Sequence, residues 1–334
     1  MPCLVIVGGF YGDEGKGKII AYLANKNNPS VAVRGGVGPN AGHTFSVGSR
    51  TYKVRMLPSA VLNTTTELLI GAGVLLDTTI LLNEIKSFDA SSRTMIDSQS
   101  GVIQKVHIER DTSGVHLRNK IGTTGSGTGP ANADRAVRTL KVAKDIPELI
   151  PYVGQVSDTV NDALDNKKSV LVEGTQGTFL SLYHGGYPYV TSKDVTASAI
   201  CSDIGIGPKR VDDVLVVFKS YVTRVGEGPL KDEISAKQAE AVGWLEYGSV
   251  TGRQRRASPF DLVLAKKATR LNGATEIAIT KLDILFPNSA GVTEFSKLPI
   301  EARTFVENVE GEIGLRVSLI GTGTDIVEVV DRRG

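Results

Sequence analysis

Apolar and polar positions alternate along the chain in short blocks that predict a series of β-strands and α-helices. Short apolar runs followed by polar turns predict strands. These runs cover residues 4–7, 31–34, 67–76, 93–97, 169–172, 214–218 and 277–280. Apolar residues at helical spacing predict helices at 19–23, 78–86, 131–144, 259–271 and 300–309. The alternation of strands and helices predicts an α/β fold, with a mainly parallel central sheet and helices on both faces.

The turn after the first predicted strand is rich in glycine and charge. Residues 8–18 read Gly-Gly-Phe-Tyr-Gly-Asp-Glu-Gly-Lys-Gly-Lys. Small residues let backbone N–H groups approach phosphate oxygens, and the following helix N-terminus adds positive charge, so this loop is P-loop-like. Ile19 stands where a P-loop places the Ser or Thr that contacts Mg²⁺. Asp13 and Glu14 would repel a phosphate unless a metal ion or a proton transfer uses them, which indicates chemistry beyond nucleotide binding.

His43 follows the second predicted strand, in a loop of small residues that leads into a hairpin predicted by the Gly48-Ser49 turn. The carboxyl ends of parallel strands meet at one edge of a sheet, where ligands bind. We therefore expect His43 to lie near Asp13. A carboxylate and an imidazole placed side by side can act as a base and an acid.

Three further segments indicate anionic or nucleotide ligands. Residues 122–130 are rich in glycine and hydroxyl groups and resemble a second anion-binding loop. The helix predicted behind them carries Arg135 and Arg138, which are either solvated helix charges or phosphate contacts. Residues 251–256 contain three arginines, whose guanidinium groups match carboxylates and phosphates. Asp283 ends a late strand, and its carboxylate can accept hydrogen bonds from the N1–H and N2–H₂ groups of guanine.

The composition is that of a soluble globular protein. The 334 residues carry a net charge of +2, which gives no argument for nucleic-acid or membrane binding. The two cysteines, Cys3 and Cys201, form no metal-binding spacing and indicate a reducing compartment. No charged leader precedes the first strand, and no apolar run reaches membrane-spanning length. We expect residues 1–334 to form a single cytoplasmic domain with no membrane or nucleic-acid partner.

Seven motifs, spread in order over nearly the whole chain, resemble those of the adenylosuccinate synthetase family. They occupy residues 12–18, 40–44, 123–130, 173–177, 187–192, 251–256 and 280–283. No single motif among them is specific, but their common order is. The chain is shorter than the usual bacterial members and resembles the compact, archaeal-type form of the family.

The resemblance implies an enzyme that joins L-aspartate to IMP with GTP and Mg²⁺, giving adenylosuccinate, GDP and phosphate. Asp13 would remove the N1 proton of IMP while O6 attacks the γ-phosphate of GTP, which gives 6-phosphoryl-IMP. His43 would stabilise the charge that moves onto the phosphate oxygens. The amine of aspartate would then displace phosphate at C6. Asp13 and the Gly42 carbonyl would hold one Mg²⁺ per subunit.

The resemblance also implies a set of ligand contacts. Residues expected at GTP are Gly12, Glu14, Gly15, Lys16, Gly17, Lys18, Gly42, His43, Thr44, Arg255, Lys281, Leu282, Asp283, Gly321, Thr322 and Gly323. Residues expected at IMP are Asp13, Asn40, Thr124, Arg138, Gln176, Thr191 and Arg253. Residues expected at aspartate are Ser249, Val250, Thr251, Gly252, Arg253 and Arg255. Arg138 would reach the IMP phosphate of the neighbouring subunit, which implies a homodimer.

Two alternatives remain open. Phage-type relatives use dGMP instead of IMP to make 2-aminoadenylosuccinate, and they commonly carry a serine in place of the base. Asp13 is retained here, which favours IMP. A GTP-binding regulatory module without ligase chemistry would leave His43 and the arginine loop at 251–256 without a role. Formation of adenylosuccinate from GTP, aspartate and IMP would distinguish these functions.

Overall fold

The computed structural model describes residues 2–248 and 252–333. Its strands, numbered in chain order, are β1 Cys3–Gly8, β2 Val31–Arg34, β3 His43–Val47, β4 Arg50–Val54, β5 Glu67–Ile70, β6 Leu75–Leu76, β7 Thr94–Asp97, β8 Gly101–Val102, β9 Val153–Gly154, β10 Val170–Glu173, β11 Asp213–Lys219, β12 Val222–Arg224, β13 Arg256–Ser258, β14 Glu276–Thr280, β15 Val317–Gly321 and β16 Val329–Asp331. Its α-helices are α1 Lys16–Asn27, α2 Thr78–Ser87, α3 Lys105–Ser113, α4 Thr128–Ala136, α5 Val156–Asp165, α6 Ala197–Ile204, α7 Ala236–Ala241, α8 Leu262–Asn272, α9 Leu282–Leu285 and α10 Ile300–Ile313. In this described part of the chain, none of the helices has the length and apolar character needed to span a membrane.

Ten of these strands form one central sheet in the spatial order β16-β15-β14-β11-β1-β10-β2-β5-β7-β9. Every neighbouring pair is parallel except β15 with β16. The mainly parallel sheet confirms the predicted α/β class. Strand β1 lies between β10 and β11. Strands β2, β5, β7 and β9 lie on its β10 side, whereas β14, β15 and β16 lie beyond β11 on its other side. Such a reversal of strand order places a crevice at the carboxyl end of β1.

The central sheet separates two hydrophobic cores. Cys3, Val5 and Val7 of β1 pack on one face, in the core that receives α5, α6, α8 and α10. Leu4 and Ile6 of the same strand pack on the other face, with α1 and α2. Because both faces are covered, β1 reads as a continuous apolar run and not as an alternating one.

Two predicted elements are wrong in their extent. The apolar run at 67–76 is not one strand, because the chain turns after β5. The Val74 N–H donates to the Gly71 carbonyl at 3.0 Å, and the Gly73 N–H leaves the sheet and donates to the Asp203 carbonyl at 3.0 Å. The helix predicted at 131–144 ends with α4 at Ala136. Arg138 has a φ of 70°, and the Thr139 N–H donates to the Asp134 carbonyl at 2.9 Å, which closes the helix in a left-handed cap.

Candidate functional site

A cavity of about 680 Å³ opens at the carboxyl ends of β1, β2, β10 and β14, and its size suits a small-molecule ligand. The sequence-predicted site residues that line it are Gly12, Asp13, Gly15, Lys16, Gly17, Lys18, Asn40, Gly42, His43, Thr44, Thr124, Gln176, Thr191, Arg253, Arg255, Lys281 and Gly323. Asp13 and His43 both line this cavity, and the side-by-side placement expected from the sequence stays a prediction.

Other predicted residues do not line this cavity. Among the described residues these are Glu14, Arg138, Gly252, Leu282, Asp283, Gly321 and Thr322. Ser249, Val250 and Thr251 lie outside the described residues. Their proposed ligand contacts stay predictions.

Glu14 stabilises the first glycine loop from within. Its side chain is buried, and Oε1 accepts the Phe10 N–H at 3.0 Å and the Gly12 N–H at 2.8 Å. Its Oε2 pairs with Lys16 Nζ at 2.8 Å. Because the Glu14 carboxylate already pairs with groups of its own loop, we expect any contact between Glu14 and GTP to come from its main chain.

The two loop lysines are held by distant carbonyl oxygens. Lys16 Nζ donates to the Gln176 carbonyl at 2.6 Å. Lys18 Nζ donates to the carbonyls of Gly323 at 2.6 Å and Glu328 at 2.8 Å. Burial lowers the pKa of Lys18 to about 8. Both lysines therefore tie the first glycine loop to segments that come much later in the chain.

Asp13 has a left-handed backbone conformation, with a φ of 62°. Its Oδ1 pairs with Arg255 NH2 at 2.9 Å, and its side chain is 28% exposed. Among the described residues, eight non-glycine residues have a positive φ, and four of them are predicted site residues, namely Asp13, Arg138, Gln176 and Lys281. Strained backbone of this kind concentrates at functional sites, because surrounding contacts must enforce it.

His43 is oriented by a buried carboxylate that sequence reasoning gave no role. Its Nδ1 is hydrogen-bonded to Glu173 Oε1, which also accepts from Arg34 NH1 at 2.7 Å. Glu173 Oε2 accepts the Ser59 N–H at 2.6 Å. A Cβ on Gly17 would lie 2.7 Å from the Cβ of His43, so glycine at this position lets α1 approach the histidine.

These contacts determine the protonation of His43. A carboxylate only accepts hydrogen bonds, so Nδ1 carries the hydrogen and Nε2 is left for a ligand. Burial lowers the pKa of His43, although Glu173 opposes this shift. Burial would raise the pKa of Glu173, but His43 and Arg34 outweigh it and hold that pKa below its ordinary value. The imidazole is thus neutral near pH 7 until an anion approaches Nε2.

Three predicted ligand residues carry buried polar atoms that lack a hydrogen-bond partner within residues 2–248 and 252–333. These atoms are Asn40 Oδ1, Arg255 Nε and Asp283 Oδ1. Buried polar groups are nearly always paired in folded proteins, so unpaired ones need an explanation, such as a missing ligand. Burial also raises the pKa of Asp283.

The donor set fits a magnesium ion that arrives with a nucleotide. In the described part of the chain, no cluster of three His, Cys, Asp or Glu side chains could hold a metal ion. The Asp13 carboxylate and Gly42 both belong to the cavity wall. Mg²⁺ is usually held by one or two carboxylates together with substrate phosphates and water, so a single carboxylate is sufficient here.

The glycine loop, the buried lysines, and the carboxylate and imidazole at the end of a parallel sheet define the chain as a nucleotide-binding α/β enzyme. The adenylosuccinate synthetase family model matches residues 5–146 and 138–289. The adenylosuccinate synthetase of Thermococcus onnurineus (strain NA1) is 54% identical over 336 residues, which covers 100% of this chain and 99% of that one. That of Methanocaldococcus jannaschii is 52% identical and covers 100% and 97%. The chain belongs to the adenylosuccinate synthetase family, GTP-dependent ligases of purine biosynthesis.

Two solved structures agree with this family. The fully ligated adenylosuccinate synthetase from Plasmodium falciparum is 25% identical, with a TM-score of 0.91 over 100% of both chains. The succinoaminodeoxyadenylate synthetase of cyanophage S-2L, bound to dGMP and dATP as an energy donor, is 26% identical. Its TM-score is 0.81, over 100% of this chain and 96% of that one. The resemblance seen in the sequence motifs is thereby confirmed.

Proposed function

We propose that this chain joins L-aspartate to IMP at the expense of GTP, through 6-phosphoryl-IMP, and releases adenylosuccinate, GDP and phosphate. The observation that carries this proposal is the presence of Asp13, His43 and Arg255 on one cavity, in a chain that matches its relatives over their full length. The cavity thus offers a proton acceptor, an imidazole and a guanidinium group for anionic substrates.

In the first step, Asp13 accepts the N1 proton of IMP, and O6 forms a bond to the γ-phosphorus while the bond to the β–γ bridging oxygen breaks. Arg255 NH2, 2.9 Å from Asp13 Oδ1, orients the carboxylate. As the phosphates bind, His43 takes up a proton from solvent at Nε2, and this N–H donates to the phosphate oxygens as their charge develops. Glu173 stabilises the resulting imidazolium through Nδ1. Mg²⁺, held by Asp13 and the Gly42 carbonyl when bound, would offset the charge on the phosphates.

In the second step, the amine of aspartate forms a bond to C6 as the C6–O bond breaks, and it gives up one proton to solvent. Phosphate leaves, and it is a better leaving group than the original oxygen. Arg253 and Arg255 line the cavity and would bind the carboxylates of aspartate by charge-assisted hydrogen bonds. Asn40, whose Oδ1 is a buried acceptor without a partner in the described residues, would contact IMP. Asp283, with a buried Oδ1 of the same kind, would accept hydrogen bonds from guanine.

We further assign this activity to a cytoplasmic homodimer. Arg138 is exposed and lies outside the cavity wall of its own subunit, which supports a contact with the IMP of a neighbouring subunit. Cys3 and Cys201 are buried and free, which suits a reducing compartment. These assignments rest on the family resemblance and on the placement of the residues.

The test is to supply the purified protein with GTP, aspartate and Mg²⁺, together with either IMP or dGMP, and to separate the products by chromatography. We expect adenylosuccinate from IMP. Product from dGMP alone would identify the phage-type activity, which the fold similarity to the cyanophage enzyme favours and Asp13 disfavours. Hydrolysis of GTP without either product would refute the ligase and support a regulatory module.

A further inference from the structure

Arg253 and Arg255 lie on one of two paired segments. The segments, residues 246–248 and 252–255, are joined by hydrogen bonds from the Arg255 N–H to the Glu246 carbonyl and from the Gly248 N–H to the Arg253 carbonyl, both of 2.8 Å. Glu246 and Arg255 therefore lie opposite each other on neighbouring segments. The Glu246 side chain contacts Lys219, at the end of β11, and Lys281, directly after β14.

The Glu246 carboxylate, which the proposed mechanism does not use, collects four donors. Its Oε2 accepts from Lys219 Nζ at 3.0 Å and from Arg255 NH1. Its Oε1 pairs with Lys281 Nζ at 3.1 Å and accepts from the Tyr221 hydroxyl. The side chain is only 10% exposed, so these charge-assisted contacts are largely shielded from water.

Two of these donors are side chains that the family resemblance places at substrates. Lys281 is expected at GTP, and Arg255 is expected at both GTP and aspartate. Both line the cavity, whereas Glu246 does not. Arg255 also continues the chain of contacts to Asp13 through NH2. Glu246 thus contacts both Lys281, which is expected at GTP, and Arg255, which is expected at aspartate.

The negative charge of Glu246 offsets the repulsion among the cations that surround it. Lys219, Lys281 and Arg255 are three cations gathered around one carboxylate, and without its charge they would repel one another at close range. Lys281 is the most exposed of the three, with 40% of its side chain accessible, so it is the one most free to move away. Arg255 pairs with two carboxylates, Asp13 and Glu246, and without the Glu246 charge it would keep only the ion pair with Asp13.

We infer that Glu246 is a positioning residue that couples GTP binding to aspartate binding by holding Lys281 and Arg255 in place across the cavity. The inference deepens the proposed function and rests on it. It predicts that loss of the Glu246 charge weakens GTP and aspartate together and leaves IMP binding unchanged. A carboxylate that only competed with ligand anions for the same cations would have the opposite effect on GTP.

The variant that tests this role is Glu246→Gln, which keeps the shape and removes the charge. Glu233→Gln is the matched control, because Glu233 pairs with Arg256, next to Arg255 (Nε to Oε1, 2.8 Å), and neither Glu233 nor Arg256 lines the cavity. Binding of a non-hydrolysable GTP analogue and of IMP is measured separately by titration calorimetry. The KM for aspartate comes from initial rates, and thermal unfolding shows whether each variant is folded.

For Glu246→Gln we expect the Kd of the GTP analogue and the KM for aspartate to rise about tenfold, the usual effect of losing a charge-assisted hydrogen bond. The Kd for IMP should change less than about twofold, and Glu233→Gln should resemble the wild-type protein in all three values. Unchanged GTP and aspartate values, tighter GTP binding, or an equal loss for all three ligands would each overturn the inference.

A double-mutant cycle shows whether Glu246 acts through Lys281. If it does, Glu246→Gln should weaken the GTP analogue much less in a Lys281→Met background than in the wild-type protein. Additive effects would contradict the proposed route. Should Glu246→Gln fail to fold, Glu246→Asp keeps the charge but shortens its reach, and the same selective loss is expected. A wild-type protein that makes no adenylosuccinate would refute the proposed function itself, whereas the calorimetric cycle tests the role of Glu246 alone.

Discussion

Asp13→Asn keeps the size and shape of the side chain and removes the proton acceptor that the first step requires. General-base catalysis contributes about 10²–10⁴ in rate, so kcat should fall at least about a hundredfold. At about 1.4 kcal/mol per factor of ten, this is about 2.7 kcal/mol or more of lost transition-state stabilisation. The cost in folding should be much smaller, because Asp13 is 28% exposed and its ion pair with Arg255 is worth at most about 1 kcal/mol.

The assay is adenylosuccinate formation at saturating GTP, IMP and aspartate, with thermal unfolding of the same preparations. Glu227→Gln is the control, since it also removes an exposed carboxylate from the cavity wall but has no part in the proposed reaction. We expect near-normal kcat for this control and a large loss for Asp13→Asn at an almost unchanged melting temperature. A kcat for Asp13→Asn within a few-fold of the wild type would refute the assignment of Asp13 as the base.

Three other substitutions test separate parts of the site. Asp283→Asn should reduce the affinity for the GTP analogue and improve binding of xanthosine triphosphate, because one acceptor oxygen is replaced by a donor. An Asn variant that still strongly prefers GTP would contradict this. In the wild type, lowering the pH should weaken GTP-analogue binding, because guanine needs the ionised Asp283; burial raises the pKa of Asp283, so the loss should begin at a higher pH than for a free carboxylate. Arg138→Leu should raise the KM for IMP about tenfold and spare GTP, and mixing it with Asp13→Asn subunits should restore part of the activity. Confirmed mixed dimers without activity would exclude a contact across subunits. Glu173→Gln should lower the free energy of unfolding by about 3–5 kcal/mol in urea, because it leaves the buried Arg34 without its carboxylate; a loss below about 1 kcal/mol would disprove this role.

The fold could be predicted where one strand reads as one apolar block. β1, β10, β11 and β14 are covered on both faces, so burial makes the central residues of each strand a continuous apolar run, with charged or polar residues only at strand ends. The run at 67–76 has the same apolar character but divides into two short strands, because a turn closed by the Val74 N–H and the Gly71 carbonyl interrupts it. The end of α4 was missed for a similar reason, since Arg138 is an uncommon residue for a left-handed cap. That residues 1–334 form a single domain stays a prediction.

The site could be predicted only where its residues belong to local motifs. Asp13 and His43 are each set in a loop of small residues, and this pattern is visible in the sequence. Glu173 is separated from His43 by 130 positions, and the carboxylate reaches the histidine only after β10 has paired with β2. Glu246 likewise meets Lys219 and Lys281 only in the folded chain. A single sequence shows that Glu173 and Glu246 are charged, but it does not show which distant side chains they contact in the fold.

Two lysines of the cavity, Lys16 and Lys18, already donate hydrogen bonds within the protein, and this limits the number of N–H groups that remain for a ligand. An ammonium group has three N–H donors. Within the described residues, Lys16 uses two of them on Glu14 and the Gln176 carbonyl, and Lys18 uses two on the Gly323 and Glu328 carbonyls. Each lysine therefore keeps one N–H, in a direction that the other two bonds fix, and under the proposed function this N–H would donate to a phosphate of GTP. Because these side chains are ordered in advance, phosphate binding would avoid an entropic cost of about 0.5–1.5 kcal/mol for each of them.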